Sequence, residues 1–259
     1  MGIETKIEWC DSTINPTTGC EGCELWNGRD VRHCYAGKLH EARLAKSLPN
    51  LYAADFQDVR LVPGRMMQAA RWADLRGKER PGKPWLSGQP RCIFVGDMGD
   101  FCSKAVPEQY IIEEIFGAIA SPEGQRHFWL LLTKQIARLA ELSRKLDGLP
   151  DNCMAMTTIT DQHTANVRLP LLMSVECHWR GVSAEPLLSA VDVGDHLGCG
   201  LIHQVIAGGE SGAKARLMQA DWARSLRDAC ASSGVKFFMK QMTRREPIPE
   251  DLFIREVPR

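Results

Sequence analysis

Three cysteines in the stretch TTGCEGCELWNGRDVRHCYAG, residues 17–37, carry the plainest chemical signal in this chain. Cys20 and Cys23 are two residues apart, and Cys34 follows after ten more. A C-x2-C turn lets two sulfurs face one ion. Cys34 stands where a helix is expected to begin, a place whose free N–H groups favour a thiolate. Structural zinc closes its shell with four donors, and Cys10, His33 or His40 could supply the last. An iron–sulfur cluster held by three thiolates keeps one iron open for a ligand from outside. Unligated thiols are the third reading, and spacing alone leaves all three open.

The loop that carries these thiols must be positioned by its neighbours. Short β-favouring runs alternate with helical patterns along the chain, which predicts successive βα units and a parallel sheet. The expected strands are 6–9, 91–96, 127–133, 153–159, 178–184, 204–209 and 235–240. The expected helices are about 38–48, 65–77, 107–120, 135–145, 163–173 and 219–233. In the last helix Trp222, Leu226 and Ala229 fall on one face, and Gly234 suits its left-handed end. Six strands stop abruptly in small, polar or charged residues: GDMGD, TKQ, TTITDQ, SAEP, GGESG and KQM. In a parallel barrel those C-terminal ends share the face that carries the site. The fold class expected is α/β, a partial (β/α) TIM-like barrel of about six to seven parallel strands, with a doubly wound open sheet as the competitor. One domain spans 1–259, with the cysteine loop at about 10–37, and the cysteine loop follows the first expected strand on the site face.

Bulk properties set limits on this picture. The 259 residues are 44% hydrophobic and 25% charged, an ordinary globular balance, and 32 basic residues match 32 acidic ones. Global charge therefore argues neither for nor against nucleic acid. No run approaches the length of a membrane span, and the first residues lack a signal-peptide core, so no membrane partner and a cytoplasmic location are expected. Ten cysteines in a reducing compartment are expected as free thiols or metal ligands. Cys92, Cys102, Cys153, Cys177, Cys199 and Cys230, scattered singly, read as small core hydrophobes.

IEWCDSTINPTTGC and HCYAG, followed in order by LLLTKQ, GVSAEPLL, VIAGGESGAKAR and GVKFFMKQ, cover nearly the whole chain. This series resembles a phage-associated family of uncharacterised proteins placed with the radical S-adenosylmethionine (SAM) enzymes. The resemblance implies a radical SAM type of barrel, with Cys20, Cys23 and Cys34 holding a [4Fe–4S] cluster whose open iron is chelated by SAM. One electron would then cleave SAM to methionine and a 5′-deoxyadenosyl radical that abstracts hydrogen from a substrate. Two departures stand against it. The superfamily signature is C-x3-C-x2-C, so the ligand set comes from the family's TGC…CYA frame. Cys10 replaces a threonine usual in the family and is left out of the set.

The same resemblance assigns the remaining polar ends. Tyr35 lies beside the last cysteine. Gly96 and Asp97 or Asp100 would approach the SAM amino group; Thr133 and Lys134 end the third strand, and Lys134 would reach the SAM carboxylate or a phosphate. Ser183 and Glu185 would accept from ribose hydroxyls or a substrate amine, Gly208, Gly209 and Glu210 would shape the cofactor wall, and Lys240 and Gln241 would face substrate. The family context implies a decorated pyrimidine in DNA as substrate, isomerised or otherwise rearranged, in a phage protein acting in the bacterial host cytoplasm. Arg216, Lys236, Lys240, Arg244 and Arg245 are the phosphate-contact candidates, and a flavodoxin or ferredoxin the electron donor. The alternatives are the same chemistry on a small metabolite or peptide, and a zinc-stabilised nucleic-acid-binding module without catalysis.

Overall fold

The computed structural model describes residues 2–212 and 214–258. The chain divides into two compact units, Met1–Arg76 with Pro90–Gln135, and Gly77–Gln89 with Ile136–Arg259. In the first, β1 (Ser12–Ile14), β4 (Arg91–Val95) and β5 (His127–Thr133) lie side by side and parallel. A small antiparallel ribbon, β2 (Thr17–Thr18) with β3 (Arg60–Leu61), is also present. The second unit pairs β6 (Cys153–Thr158), β7 (Trp179–Ala184), β8 (Gln204–Gly208) and β9 (Lys236–Gln241), all parallel. The class is α/β with seven parallel strands among the described residues, as expected. In each unit the strands neighbour one another in chain order, without the reversal that defines a doubly wound sheet.

Burial explains why the strands are readable. Every residue of β4, β6 and β8 is buried, and such strands read as continuous apolar runs. The first strand is the exception. Residues 6–9 do not form it; β1 lies at Ser12–Ile14, a buried polar stretch. Its register is set by hydrogen bonds rather than by apolar alternation. Asp11 accepts from the Cys92 N–H at 2.8 Å, while Ser12 Oγ accepts from Arg91 at 3.0 Å and donates to the Ile3 carbonyl at 2.6 Å. Trp9, which makes 6–9 look like a strand, instead packs its ring 4.7 Å from Phe94.

The helix expected over 65–77 ends at Ala70. Side chains take the carbonyls a longer helix would use: Arg126 and His127 reach Ala70, and Arg91 reaches Ala73. The helix that opens at Tyr35 runs through a π-helical segment, His40–Leu44, and that over 108–120 through another, Ile111–Phe116. Helix Gln162–Met173 starts on a reciprocal cap in which Asp161 and Thr164 exchange bonds. Helix Ala220–Ser233 buries Ala223, Leu226 and Cys230, so the inward stripe is one residue off the expected Trp222–Leu226–Ala229 face, small residues letting it approach the sheet.

That last helix closes at Gly234 with φ +69°, in the left-handed region, as its sequence position suggests. A Cβ at Gly234 would meet no atom within 4 Å, so replacement carries a purely conformational cost. Gly234→Ala is expected to lower stability by about 1 kcal/mol, measured by urea unfolding with an unchanged m-value.

Candidate functional site

The cysteine loop is built on a small apolar core of its own. Trp26, Ala36, Tyr52, Phe56 and Met98 are buried together, and Cys20 and Cys34 pack against them. Trp26 meets Phe56 edge to face at 5.4 Å, and the helix from Tyr35 lies so close that a Cβ on Gly37 would sit 2.7 Å from the Trp26 ring. Backbone pairs hold the loop in shape: Cys23 and Trp26 exchange N–H···O bonds, Cys34 N–H donates to Leu25, and Cys20 N–H to Phe56. Cys34 is the N-cap of the helix, so its thiol stands at a helix N-terminus as expected.

Two further contacts dock this loop on the strand ends. Gly19 and Gly99 form a parallel bridge, and a Cβ on Gly99 would fall 2.6 Å from the Gly19 carbonyl oxygen. Asn15, just after β1, donates to Asp97 at 2.5 Å and accepts from the Met98 N–H at 3.0 Å. The loop after β4 is thereby tied to the loop after β1. Tyr35 OH donates to the Asp97 carbonyl at 2.5 Å, and Gly96 N–H to Ile14, with Gly96 at φ +88°. Glu21, inside the cysteine loop, accepts from Ser103 Oγ at 3.0 Å and the Lys104 N–H at 2.9 Å.

Asp100 is the brace between β4 and β5. One of its oxygens accepts from the Cys102 N–H at 3.0 Å and Thr133 Oγ1 at 2.6 Å, the other from the Lys134 N–H at 2.9 Å. Both oxygens are thus engaged within the protein, and Thr133 shares that duty. Asp97 is different. Burial pushes its carboxyl above the usual range, against hydrogen bonds from Asn15 and Thr13 that pull it down.

The thiols sense one another and the same neighbours. Burial, then the Asp100 charge, pushes Cys20 up to about 12, opposed by an N–H···S bond from Gly22. Burial also raises Cys23, opposed by the Lys134 ammonium and by the Leu25 N–H, 3.4 Å from its sulfur. Cys20 interacts electrostatically with Cys23, and Cys23 with Cys34. Among the described residues, no three His, Cys, Asp or Glu side chains stand close enough to hold a metal ion as they are. The donor chemistry is that of a thiolate site: Cys23 within electrostatic range of both other sulfurs, N–H groups aimed at two of the three, and a cation to offset thiolate charge. Of the other donors weighed for zinc, His40 is fully buried with Nε2 on the Ala53 carbonyl at 2.8 Å and rings of Tyr52 and Phe56 around it. Cys10 is buried ahead of β1, at the end of that strand opposite the loop.

The second unit gathers its own polar ends. Lys240 forms an ion pair with Glu185 Oε2, while Glu185 Oε1 is buried with no hydrogen-bond partner among the described residues. Gly208 lies between them; a Cβ there would touch the Glu185 and Lys240 side chains at 3.4 and 3.5 Å. Gln241 and Gly209 exchange bonds, Gln241 Nε2 donating at 2.8 Å and the Gly209 N–H returning one at 3.0 Å. Glu210 grips Arg216 through its guanidinium and its N–H. Ser183 is buried, its carbonyl accepting from Ile159 N–H at 3.0 Å.

A family described as "Protein of unknown function (DUF5131)" has a model that matches residues 4–249. The chain belongs to that family. No curated protein and no solved structure matches it. The matched span contains every candidate site residue, from Cys20 to Gln241.

Within this member of the family, Cys20, Cys23, Cys34, Tyr35, Gly96, Asp97, Asp100, Thr133 and Lys134 fall in the first unit. Ser183, Glu185, Gly208, Gly209, Glu210, Lys240 and Gln241 fall in the second. Three of the five phosphate-contact candidates already face carboxylates, Lys240 that of Glu185. The Arg216 guanidinium is paired with Glu210, and Lys236 begins β9, at the opposite end from Lys240 and within 3.8 Å of Glu256. The single cysteines behave mostly as small core residues: Cys92, Cys102, Cys153 and Cys230 are buried, Cys177 is half-buried and Cys199 exposed. Sequence reasoning misses Asn15, Glu21 and Trp26. Asn15 carries a local signal, a side-chain amide before proline directly after a strand; Glu21 and Trp26 act through partners distant in the chain.

Asp100→Asn places an amide N–H₂ against one of the donors that the carboxylate now accepts. It is expected to cost about 2 kcal/mol in urea unfolding, and Thr133→Val added to Asp100→Asn to cost clearly less than Thr133→Val in wild type. Glu185→Ala, which strands the Lys240 ammonium, is expected to cost about 2–3 kcal/mol, with partial recovery when Lys240→Met is added.

Proposed function

We propose that this protein is a radical SAM enzyme in which Cys20, Cys23 and Cys34 hold a [4Fe–4S] cluster. The observation that carries the reading is the docking of one three-thiol loop onto the polar ends of β1, β4 and β5. N–H···S bonds reach two of those thiols, and Lys134 lies in electrostatic range. A catalytic centre must sit where strand ends converge; a purely structural ion could sit anywhere. Three thiolates leave one coordination position for a ligand from outside. The chain-order pairing of strands in each unit accords with a partial (β/α) barrel of the radical SAM type.

A reduced cluster of this kind supplies the electron that cleaves SAM and starts hydrogen abstraction. The protein's own residues bind and orient. Cys20, Cys23 and Cys34 would carry the metal as thiolates, releasing their protons on loading. Gly22 and Leu25 N–H groups stabilise that charge on two of the sulfurs. Asp97, buried and held by Asn15, would meet the cofactor's ammonium, and the Lys134 ammonium, which has no hydrogen-bond or carboxylate partner among the described residues, its carboxylate. Asp100 and Thr133 position Lys134 rather than contact the cofactor. In the second unit Glu185, Gly208 and Lys240 form a polar element of their own. The substrate we favour is a decorated pyrimidine of phage DNA, with a flavodoxin- or ferredoxin-type electron donor.

Anaerobic purification followed by iron, sulfide and zinc analysis tests the centre directly. The expected result is a brown protein with about four irons and four sulfides per chain, absorbing broadly near about 400 nm. Cys20→Ala, Cys23→Ala and Cys34→Ala should each lose the cluster and SAM cleavage, and Cys10→Ala should keep both. A colourless protein with one zinc per chain overturns the reading in favour of a structural site.

A further inference from the structure

The chain leaves β9 through a turn that is expensive for its sequence. Arg244 and Arg245, consecutive and neither a glycine, both take left-handed backbone angles, φ +57° and +62°. Bulky residues rarely occupy that region, and a pair held there persists only when the surroundings over-determine it. The surroundings do so here. Arg244 N–H donates to the Glu210 carbonyl at 2.9 Å, Arg245 N–H to Met242 at 3.1 Å and Glu246 N–H to Thr243 at 3.1 Å. Thr243 is pinned in turn: its Oγ1 accepts from Met218 N–H at 2.8 Å, and a Cβ on Gly209 would fall 2.6 Å from its nitrogen.

What the strain delivers is two adjacent exposed guanidiniums with no partner. Three other arginines of this unit are matched to carboxylates, Arg216 to Glu210, Arg224 to Asp221 and Asp251, and Arg227 to Asp228 and Asp251, while Arg80, Arg168, Arg180 and Arg255 donate to backbone carbonyls; no other two exposed, unmatched arginines are consecutive among the described residues. Lys240, five residues before Arg245, is matched to Glu185. Arg244 and Arg245 make no side-chain hydrogen bond or ion pair among the described residues, and neither pairs with the neighbouring Glu246. Planar guanidiniums favour phosphate oxygens bidentately. Their exposure suits an extended polyanion, whose phosphates arrive side by side, better than a small anion that a pocket would enclose.

We propose that the Arg244–Arg245 turn is a clamp for two phosphates of a nucleic-acid backbone. It deepens the nucleic-acid part of the proposed function and rests on that part alone, since it needs no metal centre. It also answers the neutral net charge of the chain: contacts need only a local pair of unmatched cations, not a basic surface.

The test uses the Arg244→Gly/Arg245→Gly double variant, which removes both charges and relieves both backbone positions. The Arg244→Asn/Arg245→Asn pair, also tolerant of the left-handed region, serves as a second variant. Binding of a fluorescein-labelled duplex of about 24 base pairs is read by anisotropy over a salt series, without reductant or SAM. Wild type should bind, and both variants should bind about tenfold more weakly, with the slope of log K against log salt reduced by about 2. The glycine pair should match or exceed the wild-type Tm, by about 2–4 °C at most. That combination, weaker binding from an equally or more stable protein, is the signature of strain kept for a ligand. Unchanged affinity and slope in the variants, or no duplex binding by wild type, overturns the clamp. Loss confined to thymidine monophosphate, measured in parallel, overturns the assignment to a polymer. Iron analysis on the same preparations keeps the two proposals apart: a clamp without iron sinks only the cluster, and iron without a clamp sinks only the arginine turn.

Discussion

The carboxylate of Asp100 is the constraint on which the candidate centre in the first unit depends. It accepts from Cys102, Thr133 and Lys134, so one side chain fixes the exit of β4 against the exit of β5. Its charge also acts on Cys20. Such an arrangement sets two demands against each other. The brace needs an ionised carboxylate, and that same charge opposes thiolate formation nearby. Lys134, whose backbone Asp100 holds, brings the compensating positive charge to Cys20 and Cys23. Structure and electrostatics of the site are therefore not separable at this point: the group that places the lysine is the group whose field the lysine offsets.

Around that brace, the thiol loop has little freedom. Trp26 gives it an apolar centre, Glu21 ties it to Ser103 and Lys104, and Asn15 ties the strand end beneath it to Asp97 and Met98. A loop this short and polar would otherwise be mobile, because it buries too little apolar surface to offset its ordering entropy. Held in this way, the loop has a fixed backbone, while its three sulfurs as they stand do not share one ion.

Strands β4 to β9 of the two parallel sets were legible because buried parallel strands are largely apolar runs that stop at small or polar residues. The first strand was not, because Ser12 and Thr13 are polar and buried, and their place is decided by bonds across the sheet from Arg91 to Ser12 and from the Cys92 N–H to Asp11. Local propensity pointed to Trp9 instead. The helix at Arg65–Ala70 was overrun for the same reason, since its stop comes from Arg126, His127 and Arg91 rather than from a proline or glycine. The thiol triplet was visible as spacing, but its partners were not. Asp100 looked like a ligand-binding carboxylate and is a brace, a distinction that depends on hydrogen bonds to residues 33 and 34 positions away. Glu210 looked like part of a cofactor wall and is committed to Arg216.

The bridge between Gly19 and Gly99 has a consequence for how such a protein can change over time. A side chain on Gly99 would need the space that the Gly19 backbone occupies, a side chain on Gly19 the space of the Phe56 and Asp58 carbonyls, and the bridged positions are far apart in the chain. Drift at either one displaces both the thiol loop and the segment bearing Asp97 and Asp100. The two short stretches can therefore be inherited only as a matched pair. An exchange of one alone, by recombination with a divergent relative, would unseat the thiol loop while leaving all three sulfurs present in the sequence.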